Sequence, residues 1–288
     1  MIETPHALLD RYGLRARRSL GQNFLVDPAL PERIVAHAEL PSCATVLEVG
    51  AGLGAMTAAL SRVAARVIAV ETDPELVTVL HETLAETSNI EIVAGDILKL
   101  DPAVLMGSAA PQELPLWGAL MPDYFVVANL PYYITAAVLR HLLEASVRPA
   151  RMVVTVQREV GQRMIARPGD MSLLAVSVQF YAQPRICMRL KPGAFYPAPA
   201  VESVVVRLDS HRDPPVAVDD VSAFFGVVKA GFSQKRKQLR NTLAGALHLD
   251  PLVVASALES GGVASTRRAE TLAIAEWGQV YAALRQWV

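Results

Sequence analysis

The chain has 288 residues, of which 52% are hydrophobic and 6% aromatic, and its formal net charge at pH 7 is −1. This length and hydrophobic content suffice for one large domain with a sizeable core and a second, small one. The nearly neutral charge excludes a surface that is basic throughout, so any nucleic-acid contact must be made by local clusters of Lys and Arg.

Cysteine, histidine and hydropathy patterns bear on redox, metal and membrane chemistry. Cys43 and Cys187 lie far apart, without a disulfide framework or zinc-ligand spacing, which fits a reducing cytosol. The six histidines are scattered, so we predict no metal site. The first residues lack the apolar core of a signal peptide, and no apolar run reaches membrane-spanning length. We therefore expect a cytoplasmic protein without membrane contact.

The predicted elements follow a basic N-terminal stretch, residues 1–28. Asp27-Pro28 predicts a helix start, and the helix should run to about His37. From residue 45 onward, apolar runs alternate with helical patterns, which predicts a mostly parallel sheet with right-handed crossovers. The seven predicted strands are 45–49, 66–70, 90–93, 125–128, 152–156, 173–181 and 201–208. Helices are predicted at 55–63, 74–86, 135–145 and from 158, and an irregular loop at 101–122.

The pattern changes after residue 211. Beyond Pro214-Pro215 only helical periodicity remains, with breaks at Gly or Pro. We therefore predict an α/β fold in two domains. Residues 1–211 form a Rossmann-like domain and residues 212–288 a small all-α domain of about four helices.

A glycine-rich turn follows the first predicted strand, at Gly50-Ala-Gly-Leu-Gly54. Glycine lets the backbone approach a ligand closely and turn into a helix. A dinucleotide site requires the spacing G-x-G-x-x-G, whereas here the third glycine comes one position early. This spacing favours an adenosyl ligand without a pyrophosphate, although alone it is compatible with a simple turn.

Acidic residues end the next two strands. Glu71 can accept hydrogen bonds from both hydroxyls of a ribose, and Asp96 can accept one from the amino group of an adenine. Each could instead be only a strand end or a cap. Together with the glycine turn and Asn129 they occupy the ends of four successive strands, the edge at which open α/β sheets bind ligands.

The apolar strand 125–128 breaks abruptly into Asn129-Leu130-Pro131-Tyr132. Pro131 lacks a backbone donor and disfavours a helical conformation at Leu130. The Asn129 side chain and a nearby backbone carbonyl offer two acceptors, and Tyr132 offers a flat ring, which together suit the exocyclic amino group of a planar base. The alternative is a strand-to-helix turn capped by Asn.

These features resemble class I methyltransferases that use S-adenosylmethionine, and Asn129-Leu-Pro-Tyr132 resembles the catalytic motif of enzymes that methylate the adenine amino group. Three further segments resemble the ribosomal RNA adenine dimethyltransferase family, most closely its small-subunit branch: Leu20–Leu25 (LGQNFL), Phe195–Ser203 (FYPAPAVES) and Phe232–Asn241 (FSQKRKQLRN). The resemblance spans nearly the whole chain. Ala51 departs from it, since many members carry proline there, and the 101–122 loop looks longer than usual.

The resemblance implies an S-adenosylmethionine site formed by Asn23, Leu25, Gly50, Glu71, Asp96 and Asn129. It also implies the substrate: two adjacent adenosines in the loop of the 3'-terminal hairpin of 16S rRNA, each dimethylated at N6 during small-subunit biogenesis. Acceptors on Asn129 and Leu130 would orient the amine, which is catalysis by positioning and electrostatics. Tyr132 would stack on the flipped base. Phe195 is the candidate for the other face, with an ordinary core aromatic as the alternative.

Two basic clusters are candidates for RNA binding. Between Asp220 and Asp250 there is no acidic residue, and this stretch could be a solvated helix face or a phosphate-binding surface. We predict the latter. Its basic residues are Lys229, Lys235, Arg236, Lys237 and Arg240. The second cluster contains Arg15, Arg17 and Arg18.

Rival functions remain open on the sequence alone. Among enzymes they are a large-subunit rRNA adenine methyltransferase of the macrolide-resistance type and, more distantly, a DNA adenine methyltransferase. The helical tail favours the small-subunit enzyme. A catalytically silent ribosome-assembly or transcription factor is disfavoured by the intact Asn129, Tyr132 and Glu71. A nicotinamide dehydrogenase is disfavoured by the glycine spacing. We also expect a monomer.

Overall fold

The computed structural model describes residues 4–17, 20–107 and 124–288. The strands are β1 (Phe24–Leu25), β2 (Thr45–Val49), β3 (Arg66–Glu71), β4 (Ile90–Ala94), β5 (Tyr124–Asn129), β6 (Arg151–Gln157), β7 (Ala182–Leu190), β8 (Phe195–Tyr196) and β9 (Ser203–Ser210). The α-helices are α1 (Pro5–Arg11), α2 (Leu30–Ala36), α3 (Ala55–Ser61), α4 (Pro74–Thr83), α5 (Pro102–Leu105), α6 (Thr135–Leu143), α7 (Arg158–Met164), α8 (Leu173–Tyr181), α9 (Val221–Phe232), α10 (Leu239–Leu247), α11 (Pro251–Ser260) and α12 (Ile274–Leu284).

A seven-stranded sheet with the order β4-β3-β2-β5-β6-β9-β7 is the centre of the fold. The five strands from β4 to β6 pair in parallel, and β9 pairs antiparallel with β6. The interior strands are covered on both faces, which explains why β2, β3, β5 and β6 are almost continuously apolar. The predicted α/β fold with a mostly parallel seven-stranded sheet is thus confirmed.

One predicted strand was wrong. Residues 173–181 form helix α8, which begins at Ser172, whose hydroxyl accepts a hydrogen bond from Ala175 N. Val176, Val178 and Phe180 alternate with Ser177 and Gln179, so the sequence imitates the period of a strand although it forms a helix. The seventh strand is instead β7, at the edge of the sheet. No strand was predicted for these residues, which include Pro184 and several polar side chains; proline is tolerated in a strand at the edge of a sheet.

A short two-stranded ribbon attaches the N-terminal stretch to the sheet domain. Phe24 pairs with Tyr196 and Leu25 with Phe195, antiparallel. The helix predicted to start at Asp27-Pro28 begins later, at Leu30, because Asp27 accepts a hydrogen bond from Ala29 N and closes a turn first. Phe24 and Leu25 of the N-terminal stretch therefore pack on the sheet unit.

The chain forms two compact units. The sheet unit comprises Pro184–Ser210 and the described part of Met1–Gly161, and the helical unit comprises Gln162–Gln183 and His211–Val288. The predicted domain boundary differs from this division, because the prediction assigned residues 162–183 to the first domain, whereas they belong to the helical unit. The reason is aromatic packing: Phe180 of α8 stacks on Phe224 of α9 with 4.8 Å between ring centroids.

Two further predictions concern the 101–122 stretch and the membrane. The described part of this stretch contains α5, whose first residues are capped by Asp101, and the rest lies outside the described residues. Among the helices of the described ranges, we find none with the length and apolar content to cross a bilayer.

Candidate active site

The glycine turn links β2 to α3 through three residues with left-handed backbone. Gly50, Gly52 and Gly54 have φ angles of 73°, 60° and 82°, which side chains with a Cβ rarely adopt. Gly52 also lacks room, because a Cβ there would lie 3.1 Å from Cε1 of Phe24. The turn therefore requires glycine both for its conformation and for its close contact with the N-terminal stretch.

A cavity of about 670 Å³ opens beside this turn, at the carboxyl ends of the parallel strands. It lies in the sheet unit, at the edge where open α/β sheets bind ligands. The predicted site residues that line it are Asn23, Leu25, Gly50, Glu71, Asp96, Asn129, Leu130, Pro131 and Tyr132. The structure thus brings together every predicted cofactor residue and the whole Asn-Leu-Pro-Tyr motif.

Glu71 is buried at the end of β3 and is held by three backbone amides. Its Oε2 accepts from Gly52 N at 2.8 Å, and its Oε1 accepts from Thr72 N and Asp73 N at 2.8 and 2.9 Å. Burial raises the pKa of Glu71, while these donors act in the opposite direction. A carboxylate has about four acceptor positions, so one remains for a ligand hydroxyl.

Asp96 follows β4 and has one carboxylate oxygen available. Its Oδ1 accepts from Leu98 N at 3.0 Å and caps the short turn at 97–99. Its Oδ2 has no hydrogen-bond partner within the described ranges. This oxygen can accept from an amino group in the cavity.

Asn129 and Leu130 present two acceptors at the end of β5. Asn129 donates from Nδ2 to Asn23 O at 2.8 Å, which leaves its Oδ1 without a donor among the described residues. Leu130 N continues the ladder to Thr155 O at 3.2 Å. The next turn starts one residue later, because Ile134 N donates to Pro131 O. Leu130 O thus receives no backbone donor in the part of the chain that the structure describes.

Tyr132 is fixed by its hydroxyl, which lies 2.6 Å from the Oγ of Ser203 on β9. Ser203 is fully buried, and burial raises the pKa of the Tyr132 phenol. The ring is half-buried and lines the cavity. The tether therefore holds a flat aromatic surface beside the two acceptors.

Glu48 is a cavity residue that sequence reasoning missed as a functional candidate. It lies on β2, is 2% exposed, and its Oε2 has no hydrogen-bond partner among the described residues. Burial raises the pKa of Glu48 to about 8, and the nearby charge of Glu71 adds to the rise. The signal in the sequence was a carboxylate inside an otherwise apolar strand, which is rare without a partner.

Phe195 does not line the cavity. It is 3% exposed and packs in the core with Leu25, Leu30 and Val127. Of the two interpretations of Phe195, the structure matches the ordinary core aromatic. Phe195 pairs with Leu25, and Leu25 lines the cavity.

The two predicted RNA-binding clusters differ in the structure. Arg17 is engaged by carboxylates, Asp73 at 3.2 Å and Glu75, so it is not a free cation. Arg18 lies outside the described residues. In the helical unit Lys229 lies in the last turn of α9. Lys235, Arg236 and Lys237 are exposed in the turn before Arg240 of α10. We find no ion pair for these five cations within residues 4–17, 20–107 and 124–288.

No group of His, Cys, Asp or Glu suited to a metal ion occurs in the described part of the chain. The site combines a glycine-rich turn, two carboxylates at strand ends and two hydrogen-bond acceptors beside an aromatic ring. On a mostly parallel seven-stranded sheet in which β9 runs antiparallel to β6, these features define a class I methyltransferase.

Comparison with known proteins narrows this class. The chain belongs to the ribosomal RNA adenine dimethylase family, whose model matches residues 13–286. It is therefore an rRNA adenine dimethyltransferase, as the sequence predicted. A relative named ribosomal RNA small subunit methyltransferase A, from Moorella thermoacetica, is 44% identical over 276 residues, covering 95% of this chain and 94% of the relative. The protein of the same name from Lysinibacillus sphaericus is 38% identical and covers 98% and 97%.

Solved structures agree on the fold. The 23S rRNA methyltransferase ErmE has a TM-score of 0.69 and 26% identity, covering 92% of this chain and all of its own. A dimethyladenosine transferase from Plasmodium falciparum has a TM-score of 0.76, with 92% and 98% coverage. The latter is 21% identical and supports the fold alone.

Proposed function

We propose that the protein uses S-adenosylmethionine to dimethylate N6 of two adjacent adenosines in the loop of the 3'-terminal hairpin of 16S rRNA, on the immature small subunit. One observation carries the proposal: Asn129 Oδ1 and Leu130 O, which accept from no donor among the described residues, lie beside Tyr132 in the lining of a cavity that also contains two acidic strand ends. The small-subunit substrate is supported by the relatives of that name at 36–44% identity.

The cavity residues fit this cofactor. Glu71 has one acceptor position for a ribose hydroxyl, and Asp96 has a carboxylate oxygen for the adenine amino group. Glu48 also lines the cavity, although its Oε2, which has no partner among the described residues, is enclosed by protein. When bound, S-adenosylmethionine supplies an electrophilic methyl group on its sulfonium. Asn23, Leu25 and Gly50 line the same cavity and would complete the site.

The two acceptors act on the target amine. Its nitrogen lone pair is delocalised into the ring, which makes it a weak nucleophile. Hydrogen bonds from its N–H groups to Asn129 Oδ1 and Leu130 O would favour a pyramidal nitrogen with the lone pair directed at the methyl group. S-adenosylmethionine would supply the methyl group and leave as the neutral thioether, while the two acceptors would hold the amine and its surplus proton would pass to water.

Tyr132 holds the base. Stacking on an aromatic ring is worth roughly 1–3 kcal/mol per base, and the hydroxyl tether to Ser203 keeps the ring in place. Pro131 fixes the turn between the acceptors and this ring. We do not assign the second face to Phe195, since it is buried in the core.

The helical unit is proposed as the RNA-binding domain. Its turn from Lys235 to Lys237 is exposed and lies between two helices in a stretch without acidic residues. Lys229 and Arg240 extend the same basic stretch. Contacts of this kind go to phosphates and carry little base specificity.

The decisive experiment is mass spectrometry of rRNA from cells with and without the protein. We expect two adjacent dimethyladenosines in the 16S hairpin loop that disappear when the protein is removed. If they persist in the 16S rRNA and a 23S adenosine loses its methyl groups instead, the large-subunit function, known for the 26% identical ErmE, replaces this proposal.

Replacing Lys235, Arg236 and Lys237 together by alanine is expected to weaken binding of small-subunit rRNA by roughly tenfold or more at 0.15 M salt, because phosphate contacts dominate such affinities. The slope of log affinity against log salt should fall by about 2 units for three phosphates. Filter binding across a salt series measures both, and calorimetry should show unchanged cofactor affinity.

The control for this variant keeps the charge: Lys235→Arg, Arg236→Lys and Lys237→Arg together should bind nearly as the wild type does. If the alanine variant lost cofactor and RNA affinity equally, the turn would have a structural role instead.

A further inference from the structure

The N-terminal segment, residues 14–17 and 20–25, is tied to the start of α4 by side chains, and its residues 20–25 form one wall of the cavity. Arg17 Nη1 lies 3.2 Å from Asp73 Oδ1, and Arg17 also pairs with Glu75. Gln22 donates from Nε2 to Asp73 Oδ2 at 3.0 Å. Gln22 Oε1 accepts from Arg17 N at 2.7 Å, which closes the segment on itself.

Asp73 is the residue that both Arg17 and Gln22 contact. It is 3% exposed and caps α4 by accepting from Glu75 N at 3.1 Å. Its backbone N–H also donates to Glu71 Oε1. The segment is therefore anchored to the same residues that hold the acidic end of β3 in the cavity.

The segment also lies against the Asn-Leu-Pro-Tyr motif. Gly21 has a φ of 63°, and a Cβ there would lie 3.2 Å from Tyr133 Cδ1 and 3.4 Å from Pro131 Cβ. Asn23 donates from Nδ2 to Gly21 O at 2.9 Å. Asn23 O in turn accepts from Asn129 Nδ2 at 2.8 Å, across 106 residues of sequence.

This last bond determines which end of the Asn129 amide faces the cavity. An asparagine amide has a donor end and an acceptor end that exchange by a half-turn. A carbonyl held beside it accepts from the NH₂ end and repels the oxygen end. Asn23 O is held from both sides, by Gln22 before it and by the paired strand β1 after it.

We propose that Gln22 and Arg17 are positioning residues for methyl transfer: by binding Asp73 they fix Asn23 O, which selects the Asn129 amide orientation with its oxygen available to the target amine. They contact neither the amine nor the methyl group. The role assigned to Arg17 here replaces the RNA contact predicted from the sequence.

The test compares Gln22→Ala and Arg17→Gln with the control Arg66→Gln, which breaks a similarly exposed ion pair to Glu91 at the opposite end of β3. Single-turnover methyl transfer is measured at saturating S-adenosylmethionine and rRNA. We expect the rate to fall about five- to tenfold in the first two variants, with rRNA affinity within twofold. Arg17→Lys, which keeps the charge at Asp73, should recover most of the rate.

Other outcomes overturn the proposal. Weaker rRNA binding with an unchanged saturated rate would make Arg17 a phosphate contact. A lower melting temperature with an unchanged saturated rate would make both residues structural supports only. The inference rests on the proposed methyl transfer but not on the 16S site: if the wild type methylates another rRNA instead, the proposed substrate fails, and an unchanged rate of the two variants on that rRNA overturns the positioning role.

Discussion

Replacing Asn129 by alanine is expected to lower single-turnover methyl transfer by roughly 100-fold or more, the loss seen when one preorganised polar contact is removed from a developing charge. The side chain supplies one of the two acceptors for the amine, and no described side chain or backbone donor now occupies it. Radiolabelled methyl incorporation into small-subunit rRNA at saturating cofactor measures the rate.

The comparison variant is Tyr132→Phe, which keeps the ring and removes only the hydroxyl bonded to Ser203. We expect a loss below tenfold for Tyr132→Phe, because stacking survives. Binding of rRNA should change little in Asn129→Ala. An Asn129→Ala enzyme that methylates at the wild-type rate would show that the amine is oriented by other groups, and would favour a binding-only role for the Asn-Leu-Pro-Tyr turn.

Glu48→Gln is expected to remove most of a pH dependence of folding stability. The carboxyl has an ordinary value of 4.5 and a folded-state pKa of about 8. Below 4.5 it is neutral in both states. Between 4.5 and 8 it ionises in the unfolded chain only, so the folded state loses stability as pH rises, by roughly 4–5 kcal/mol in total at about 1.4 kcal/mol per unit.

Urea unfolding at pH 5, 6.5 and 8 tests this. The advantage of the Gln variant over the wild type should grow with pH, whereas Glu86→Gln, at an exposed position, should follow the wild type. Parallel curves for Glu48→Gln and wild type would mean that Glu48 is already ionised when folded.

We also expect Glu48 to couple cofactor binding to the release of a proton. A cation in the cavity favours the ionised carboxylate, so S-adenosylmethionine binding at pH 7 should release part of a proton in the wild type and less in Glu48→Gln. Calorimetry in buffers with different ionisation enthalpies measures this number.

The positions of Glu71, Asp96 and Asn129 could be predicted because a simple rule connects them. Each follows an apolar run that suits a parallel strand, and the carboxyl ends of parallel strands meet at one edge of the sheet. Spacing along the chain therefore determined proximity in space. The same holds for Gly50, whose turn had to follow the first strand.

Contacts across long stretches of sequence could not be predicted this way. The pairing of Arg17 with Asp73 spans 56 residues and depends on how the N-terminal segment folds back. A run of basic residues looks the same whether it meets phosphate or carboxylate. Helix α8 was mistaken for a strand because Ser177 and Gln179 alternate with apolar residues, which imitates the period of two that is typical of a strand.

Phe195 shows a different limit. Its motif neighbours indicated a position near the base, but whether a ring faces a cavity or the core depends on the strand pairing, here with Leu25. Burial also raises the pKa of Glu48, and the degree of burial cannot be read from the sequence.

One of the two proposed acceptors for the amine, Leu130 O, belongs to the main chain. No side-chain substitution can remove that oxygen. Mutational scans of this enzyme will therefore attribute the orientation of the amine almost entirely to Asn129 and underestimate the contribution of Leu130 O. It also means that resistance to an inhibitor built to donate to this carbonyl would have to arise through backbone displacement, a far less accessible route than point replacement.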